Sequence, residues 1–307
     1  MQSAGSKGYV DPDLQATLDR AIATLEDRFS PAGIQRETLS ITVIDCAARP
    51  VTWAHHQGDR LVYPASIIKL YFLVASHVWE DSGRIAPTAE LERARRNAIV
   101  HSSNDATSLI VDLLTDTTSG PDLTEAGFHI WQQRRHILTR YFHAVGIPGN
   151  FCQKTWSDGP YGRDRQSYQL NGDNRNALSS NSTAWLLHTI AAGLAVSPAR
   201  SRAMLELMER DLDPTTYADD PDNQIQGFLG QGLPRTARLW SKAGETTFCR
   251  HDCALIQLPE REPYILVAFG DGPAYFENWD WLPLLSEFWV GHFSSPSRLS
   301  LSGAGRE

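Results

Sequence analysis

Strand-forming segments lie near both ends of this 307-residue chain, separated by a long stretch that reads as helix and loop. Residues 39–44 and 51–54 are rich in Ile, Val, Thr and Trp and are joined by a turn containing Pro50, which predicts a hairpin. Residues 238–245, 253–258 and 264–270 are three more β-like runs joined by short turns. One sheet can bury its faces only if these remote segments meet, so the middle of the chain must leave the sheet and return. An amphipathic helix over residues 11–29 carries Leu14, Leu18, Ile22 and Leu25 on one stripe, with Asp11 or Asp13 as its cap. A Trp-rich helix over 278–290 closes the chain. The fold class is therefore α+β, an antiparallel sheet with flanking terminal helices and an inserted all-helical subdomain. The expected division is a discontinuous sheet subdomain (11–64 and 215–292), a helical subdomain (65–214) and a polar tail (293–307).

Within the middle, helices are expected to about residue 80 from Ser66, over 91–100, 106–114, 128–145 and 182–193, and from Pro198 to about 211. Residues 148–180 are polar, dense in Gly, Asn and Asp, and read as a long loop, a kind of segment that often carries function; residues 214–224 read as loop again.

Composition narrows the function. Hydrophobic residues make up 41% of the chain, enough for a packed core. A net charge of −8 argues against a nucleic-acid surface and a polybasic membrane patch, and no apolar run is long enough to span a bilayer. The first ten residues lack a basic segment followed by an apolar one, so a cytoplasmic protein is expected if this N-terminus is native, and a periplasmic or secreted one if a leader has been removed. Cys46, Cys152, Cys249 and Cys253 form no disulfide framework. Cys249, His251 and Cys253 can be read as metal ligands, but they are only three, and a tight turn between strands accounts for them equally well.

One apolar helix start holds two polar residues one turn apart, Ser66 and Lys69. A hydroxyl at a helix N-terminus lies where free N–H groups favour negative charge, and a lysine in apolar surroundings releases its proton near neutral pH. That is a nucleophile with a base beside it; equally, Ser66 can cap and Lys69 can snorkel. Two further pieces follow in order: Ser102-Ser103-Asn104, in a polar break between helices, and Lys242-Ala243-Gly244 on a strand. Ser179-Ser180-Asn181 repeats the second pattern but lies outside the helix–helix break.

This ordered set resembles the penicillin-recognising serine hydrolases, and among them the class A β-lactamases most. The resemblance extends over most of residues 11–290, including 102–114, 138–146, 176–198 and 225–234. It implies Ser66 as nucleophile, Lys69 as general base and Ser102 as the relay of a proton to the leaving nitrogen. It also implies that Asn104, Lys242, Gly244 and Glu245 line the substrate. The N–H groups of Ser66 and Glu245 would form an oxyanion hole, and no metal or cofactor is required. A small-molecule β-lactam or related amide is the implied substrate. The alternatives are a hydrolase or acyltransferase on a non-lactam amide or ester, a penicillin-binding protein that deacylates slowly, and an inert binding protein of the same fold.

The chain departs from the family pattern at the middle residues of its second and third motifs and in its spacings. No Glu occurs between Glu125 and Glu206. Matching Leu170-Asn171 to the family's omega loop puts Ser167 where a water-activating Glu is expected, with Asp158, Asp164 and Asp173 as candidate substitutes.

Overall fold

The structure is a computed structural model, and it describes residues 8–169 and 174–295. Seven strands form one sheet: β1 (Tyr9–Val10), β2 (Leu39–Asp45), β3 (Thr52–His56), β4 (Glu209–Arg210), β5 (Arg238–Thr246), β6 (Cys249–Gln257) and β7 (Tyr264–Asp271), in the order β1-β3-β2-β7-β6-β5-β4. All neighbours are antiparallel except β1 and β3. The remote halves join at β2 and β7, where Val43 faces Leu266 and Ile44 faces Ile265.

The helices are α1 (Pro12–Phe29), α2 (Ile68–Asp81), α3 (Ala89–Val100), α4 (Asn104–Thr115), α5 (Glu125–Arg135), α6 (Ile137–Ala144), α7 (Gly162–Tyr168), α8 (Ser180–Ala191), α9 (Pro198–Met208), α10 (Pro214–Tyr217), α11 (Pro273–Glu277) and α12 (Trp281–Ser294). Asp11 caps α1 by accepting from Asp13 N and Leu14 N. The stripe Leu14, Leu18, Ile22 and Leu25 packs on one face of the sheet with Trp281, Leu285 and Trp289 of α12. The opposite face, with Ile44, Trp240, Cys253, Ile265 and Val267, packs against the helical layer.

The core of that layer is α2. Ile68, Leu70, Tyr71, Phe72, Leu73, Val74 and Ala75 are all buried, so this helix is apolar on every side and is surrounded. Its neighbours include α3, α4 and α9. The α8 helix lies across β2, β6 and β7.

Several boundaries differ from the pattern in the sequence. The single helix expected over 128–145 is two, broken at His136 (ψ 9°), because α5 buries Phe128 and Trp131 while α6 turns Leu138 and Phe142 toward α2. The 148–180 loop contains α7 and a bridge, Asn150↔Ala177, that folds it back on itself, while a second bridge, Val62↔Leu178, ties it to the segment before the Ser66 turn. The helix from Pro198 stops at Met208, where Glu209 and Arg210 pair with Trp240 and Leu239. Residues 214–217 form one turn of helix. The last helix runs to Ser294, so Phe293, expected in the tail, stacks on Tyr264 with ring centroids 4.1 Å apart.

Candidate active site

Three distant stretches meet at the N-terminal end of α2. The first is the turn at 64–67. Ala65 adopts a left-handed backbone (φ 46°) and opens a single 3-10 turn, Ala65–Ile67, in which Ile67 N donates to Pro64 O at 3.0 Å. A non-glycine residue held there costs on the order of 1–3 kcal/mol. The turn places Ser66, half-buried, at the head of α2 with Lys69 one turn on and only 1% exposed.

The second stretch is the break between α3 and α4. Ser102 is also left-handed (φ 53°). The helix cap is the next residue, Ser103, whose Oγ accepts from Ala106 N at 3.2 Å, so the Ser102 hydroxyl is left for the site. The third stretch is β5. A Cβ on Gly244 would lie 2.8 Å from Ser66 N and 3.0 Å from Ile67 N. Only glycine lets this strand approach the Ser66 turn so closely.

The polar atoms of these stretches converge. Lys69 Nζ donates to Asn104 Oδ1 at 2.8 Å, to Ser102 Oγ at 3.1 Å and to the Ser102 carbonyl. Lys242 Nζ, fully buried, reaches the same Ser102 Oγ at 3.0 Å from the other side. It also donates to Gln224 Oε1 at 2.6 Å and to Ala243 O at 2.7 Å. Two ammonium groups on one hydroxyl oxygen repel, and both lie out of water. Burial lowers Lys69 to about 7. Burial first, then the neighbouring Lys69 and Arg210 charges, push Lys242 well below its ordinary value, against the opposing pull of Cys253 and Asp252. A site with one neutral and one protonated lysine about a shared hydroxyl can take a proton at one nitrogen and attract an anion at the other.

Of the residues singled out in the sequence, Lys69, Ser102, Asn104 and Lys242 thus form one hydrogen-bonded set, and Gly244 lies against the Ser66 backbone. Glu245 differs. Side chains alternate along a strand, so its carboxylate points away from Lys242 and pairs with buried Arg250 at 2.6 Å. Arg250 is itself held 4.5 Å over Trp279 and 4.8 Å over Phe228. Only the Glu245 backbone is left to face the site.

The omega region requires the largest revision. Ser167 is fully buried, and its Oγ accepts from Asn174 Nδ2 at 2.6 Å and Gln153 Nε2 at 3.1 Å, so it serves the interior of its own loop. Asp164 is fully buried against Arg135 at 3.0 Å. Asp158 is exposed, and Asp173, like Leu170 and Asn171, lies outside the described residues. Among the described residues of this loop, Ser157 meets the Lys69–Asn104 cluster, its Oγ accepting from Asn104 Nδ2 at 3.4 Å. No local pattern marks Ser157, because its place depends on the fold of the whole loop. The same holds for Gln224, eighteen positions before Lys242.

The second Ser-x-Asn copy is structural. Ser179 caps α8, Ser180 Oγ and Thr42 Oγ1 lie 2.8 Å apart, and Asn181 accepts from Thr42 at 2.8 Å and donates to Asp59 at 2.9 Å. Cys249, His251 and Cys253 are all on β6, two residues apart, each with its own partner: Thr246 Oγ1, Tyr63 O and Lys242 O. The strand begins at Cys249, so the tight turn is shorter than the sequence implies.

An α+β sheet carrying a Ser-x-x-Lys helix start, a Ser-x-Asn turn and a Lys-x-Gly strand around one hydroxyl defines a serine hydrolase of the β-lactamase kind. The sequence profile of the beta-lactamase enzyme family matches residues 17–282, and the chain belongs to that family. No curated protein matches the chain by sequence. Among solved structures it is similar to a β-lactamase from Sphaerobacter thermophilus DSM 20745, with 18% identity over 94% of this chain and 99% of that one and a TM-score of 0.65. It is similar to PBP-A (18% identity, 90% of this chain and 96% of that one, TM-score 0.63) and to an ancestral class A β-lactamase (20%, 91% and 100%, TM-score 0.61). At that identity the likeness speaks for the fold.

Proposed function

We propose that the protein opens a β-lactam or related amide through an acyl-enzyme on Ser66. The observation that carries this reading is the convergence of Lys69 and Lys242 on the Ser102 hydroxyl beside the Ser66 turn. Lys69, held near neutrality, takes the Ser66 proton as Oγ attacks the carbonyl carbon. The N–H groups of Ser66 and Glu245 receive the oxyanion; donors of this kind are typically worth about 3 kcal/mol each. Ser102 passes a proton to the leaving nitrogen. Asn104 binds the substrate's amide side chain, and Lys242, whose ammonium form is supported against burial by its acceptors Gln224 Oε1 and Ala243 O, draws in a carboxylate.

Deacylation needs a water-activating group. Hydrogen bonds join Lys69 to the Ser102 turn and Asn104, and Asn104 in turn to the hydroxyl of Ser157, with no carboxylate in that chain of contacts among the described residues. This favours a long-lived acyl-enzyme over rapid turnover. A mutant of PBP-A was solved as an acyl-enzyme complex with penicillin G, so a protein of similar fold forms an acyl-enzyme with a β-lactam.

Intact-protein mass spectrometry after mixing with benzylpenicillin, followed in time beside Ser66→Ala, tests the proposal. A slowly decaying adduct on the wild type and none on Ser66→Ala is the expected result. Fast release of penicilloate would make the protein an efficient β-lactamase and overturn the slow-deacylation reading. No adduct would sink the β-lactam reading and leave non-lactam amides and esters to be tried with a fluorophosphonate label.

A further inference from the structure

Gln224, in the loop before the third motif, is fastened at both ends of its amide. Its Oε1 accepts from Lys242 Nζ at 2.6 Å and from Ala243 N at 3.1 Å. Its Nε2 donates to Ile99 O at 3.1 Å and to Val100 O at 3.0 Å. Those are the last carbonyls of α3, two residues before Ser102, and a helix end leaves them without internal partners. Arg210 reinforces the tie by donating to Ile99 O, Val100 O and Ser241 O at 3.0–3.2 Å. One amide therefore joins the carbonyls that lead into the Ser102 turn to the strand that carries Lys242.

The chemistry admits few replacements. A carboxylate would suit the ammonium but would face two carbonyl oxygens. An apolar side chain would take from the buried lysine its shortest acceptor and would leave the buried Ala243 N–H without one. Only a primary amide of this length accepts on one side and donates on the other.

We propose that Gln224 is a positioning residue that keeps the Lys242 ammonium protonated and aimed at the substrate pocket, and so sets a preference for carboxylate-bearing acyl donors. This rests on the Ser66 acyl-enzyme reading for its substrate half but not for its hold on Lys242. The charged and titratable groups that act on Lys242 are Lys69 from α2, Arg210 from β4, and Asp252 and Cys253 from β6. Lys69 and Asp252, both brought to about 7 by burial, change charge over the same pH range in wild type and variant alike, and Cys253 is neutral at working pH because burial pushes its thiol up. An accepted hydrogen bond favours the charged form of the donor. Removing it lowers the Lys242 pKa further, whereas a carboxylate raises it.

The chain has only four lysines, so the 13Cε signals of the selectively labelled protein are few, and Lys242→Arg assigns the one of interest. The test follows that signal through a pH titration in wild type, Gln224→Met and Gln224→Glu. In parallel, the acylation rates with benzylpenicillin and with its methyl ester, the same donor without its carboxylate, are compared. The Lys242 titration should move down in Gln224→Met and up in Gln224→Glu. The acid-over-ester preference should fall about ten-fold in Gln224→Met, the order expected for a lost hydrogen bond to a charged group, and should also fall in Gln224→Glu, where the new negative charge beside Lys242 offsets its attraction for a substrate carboxylate. Unchanged titration in both variants overturns the proposal, and so does a titration that moves while the preference does not. Should wild type be acylated by neither donor, the β-lactam reading falls, and the Lys242 titration still decides whether Gln224 holds that lysine. If Gln224→Met does not fold, Gln224→Glu carries the same two readouts with the opposite sign for Lys242.

Discussion

Lys69 concentrates the physics of the site in one side chain. Its ammonium is buried and its pKa lowered to about 7, while in the unfolded chain it titrates near 10.5. The acylation rate should therefore rise with pH through an apparent pKa of about 7, as the neutral amine becomes available; a pH–rate profile from stopped-flow or quenched mass spectrometry reads this. Stability carries the same signature. Below pH 7 both states bind the proton and the folded protein bears the full cost of burying the charge. Between about 7 and 10.5 the unfolded chain still holds a proton that the folded one has released, so this residue makes stability rise with pH. Urea unfolding at pH 6.5 and pH 9 should show wild type gaining on Lys69→Met at the higher pH, and equal gains would mean that Lys69 is not titrating in this range. Ser157 is the other informative residue. A carboxylate introduced there would stand beside Asn104, which is itself hydrogen-bonded to Lys69. Ser157→Glu should shorten the lifetime of the benzylpenicillin adduct by about 10²–10⁴-fold, the range of a general base. An unchanged lifetime would show that the loop holds position 157 away from the water path.

Elements bring these residues together, and the buried ion pair under the omega region shows how. Arg135 at the end of α5 is fully buried, 3.0 Å from Asp164 of α7 and 3.5 Å from Asp112 of α4, and stacks 4.6 Å over Trp131. Lys154 reaches Asp112 at 2.6 Å. The cluster joins three helices to the segment leading to Ser157. Removing one partner of a buried pair leaves an uncompensated charge, so Asp164→Ala should cost about 3–5 kcal/mol in urea unfolding, and Arg135→Met combined with Asp164→Leu should recover part of it. If the double change costs as much as the sum of the singles, the two residues are not acting as a pair. None of this is legible along the chain. Helices α5 and α6 merge into one periodic run because the break at His136 is set by what each half packs against. Short elements such as α7, β1 and β4 carry too few residues to show a period. By contrast the α1 stripe, the β2–β3 hairpin and the three C-terminal strands stand out, since each alternates or repeats over enough positions. The same contrast holds at the site. Ser66 with Lys69, Ser102 with Asn104, and Lys242 with Gly244 are local spacings imposed by a helix turn, a loop and a strand. Gln224, Arg210 and Ser157 reach the site only through tertiary structure and leave no local mark.

At the scale of the whole molecule the site is a seam. Ser66 and Lys69 belong to the helical layer, Lys242 and Gly244 to the sheet, and Ser102 is bonded from both sides. The tie is continuous with the core, since the sheet face bearing Trp240, Cys253, Leu255 and Ile265 packs in one cluster with α2 and its neighbours. An assembly held along such a seam should lose its chemistry when the layers part and not before. Fluorophosphonate labelling of Ser66 along a urea series should therefore fall in step with far-UV circular dichroism and with tryptophan fluorescence, in a single transition. Labelling that disappears at lower urea than the dichroism would show the helical layer separating from the sheet as an independent unit. In that event the Gln224 and Arg210 ties to the end of α3 are the contacts that must break first, and Gln224→Met should widen the gap between the two curves. Where the layers part together, the same substitution should shift both curves equally.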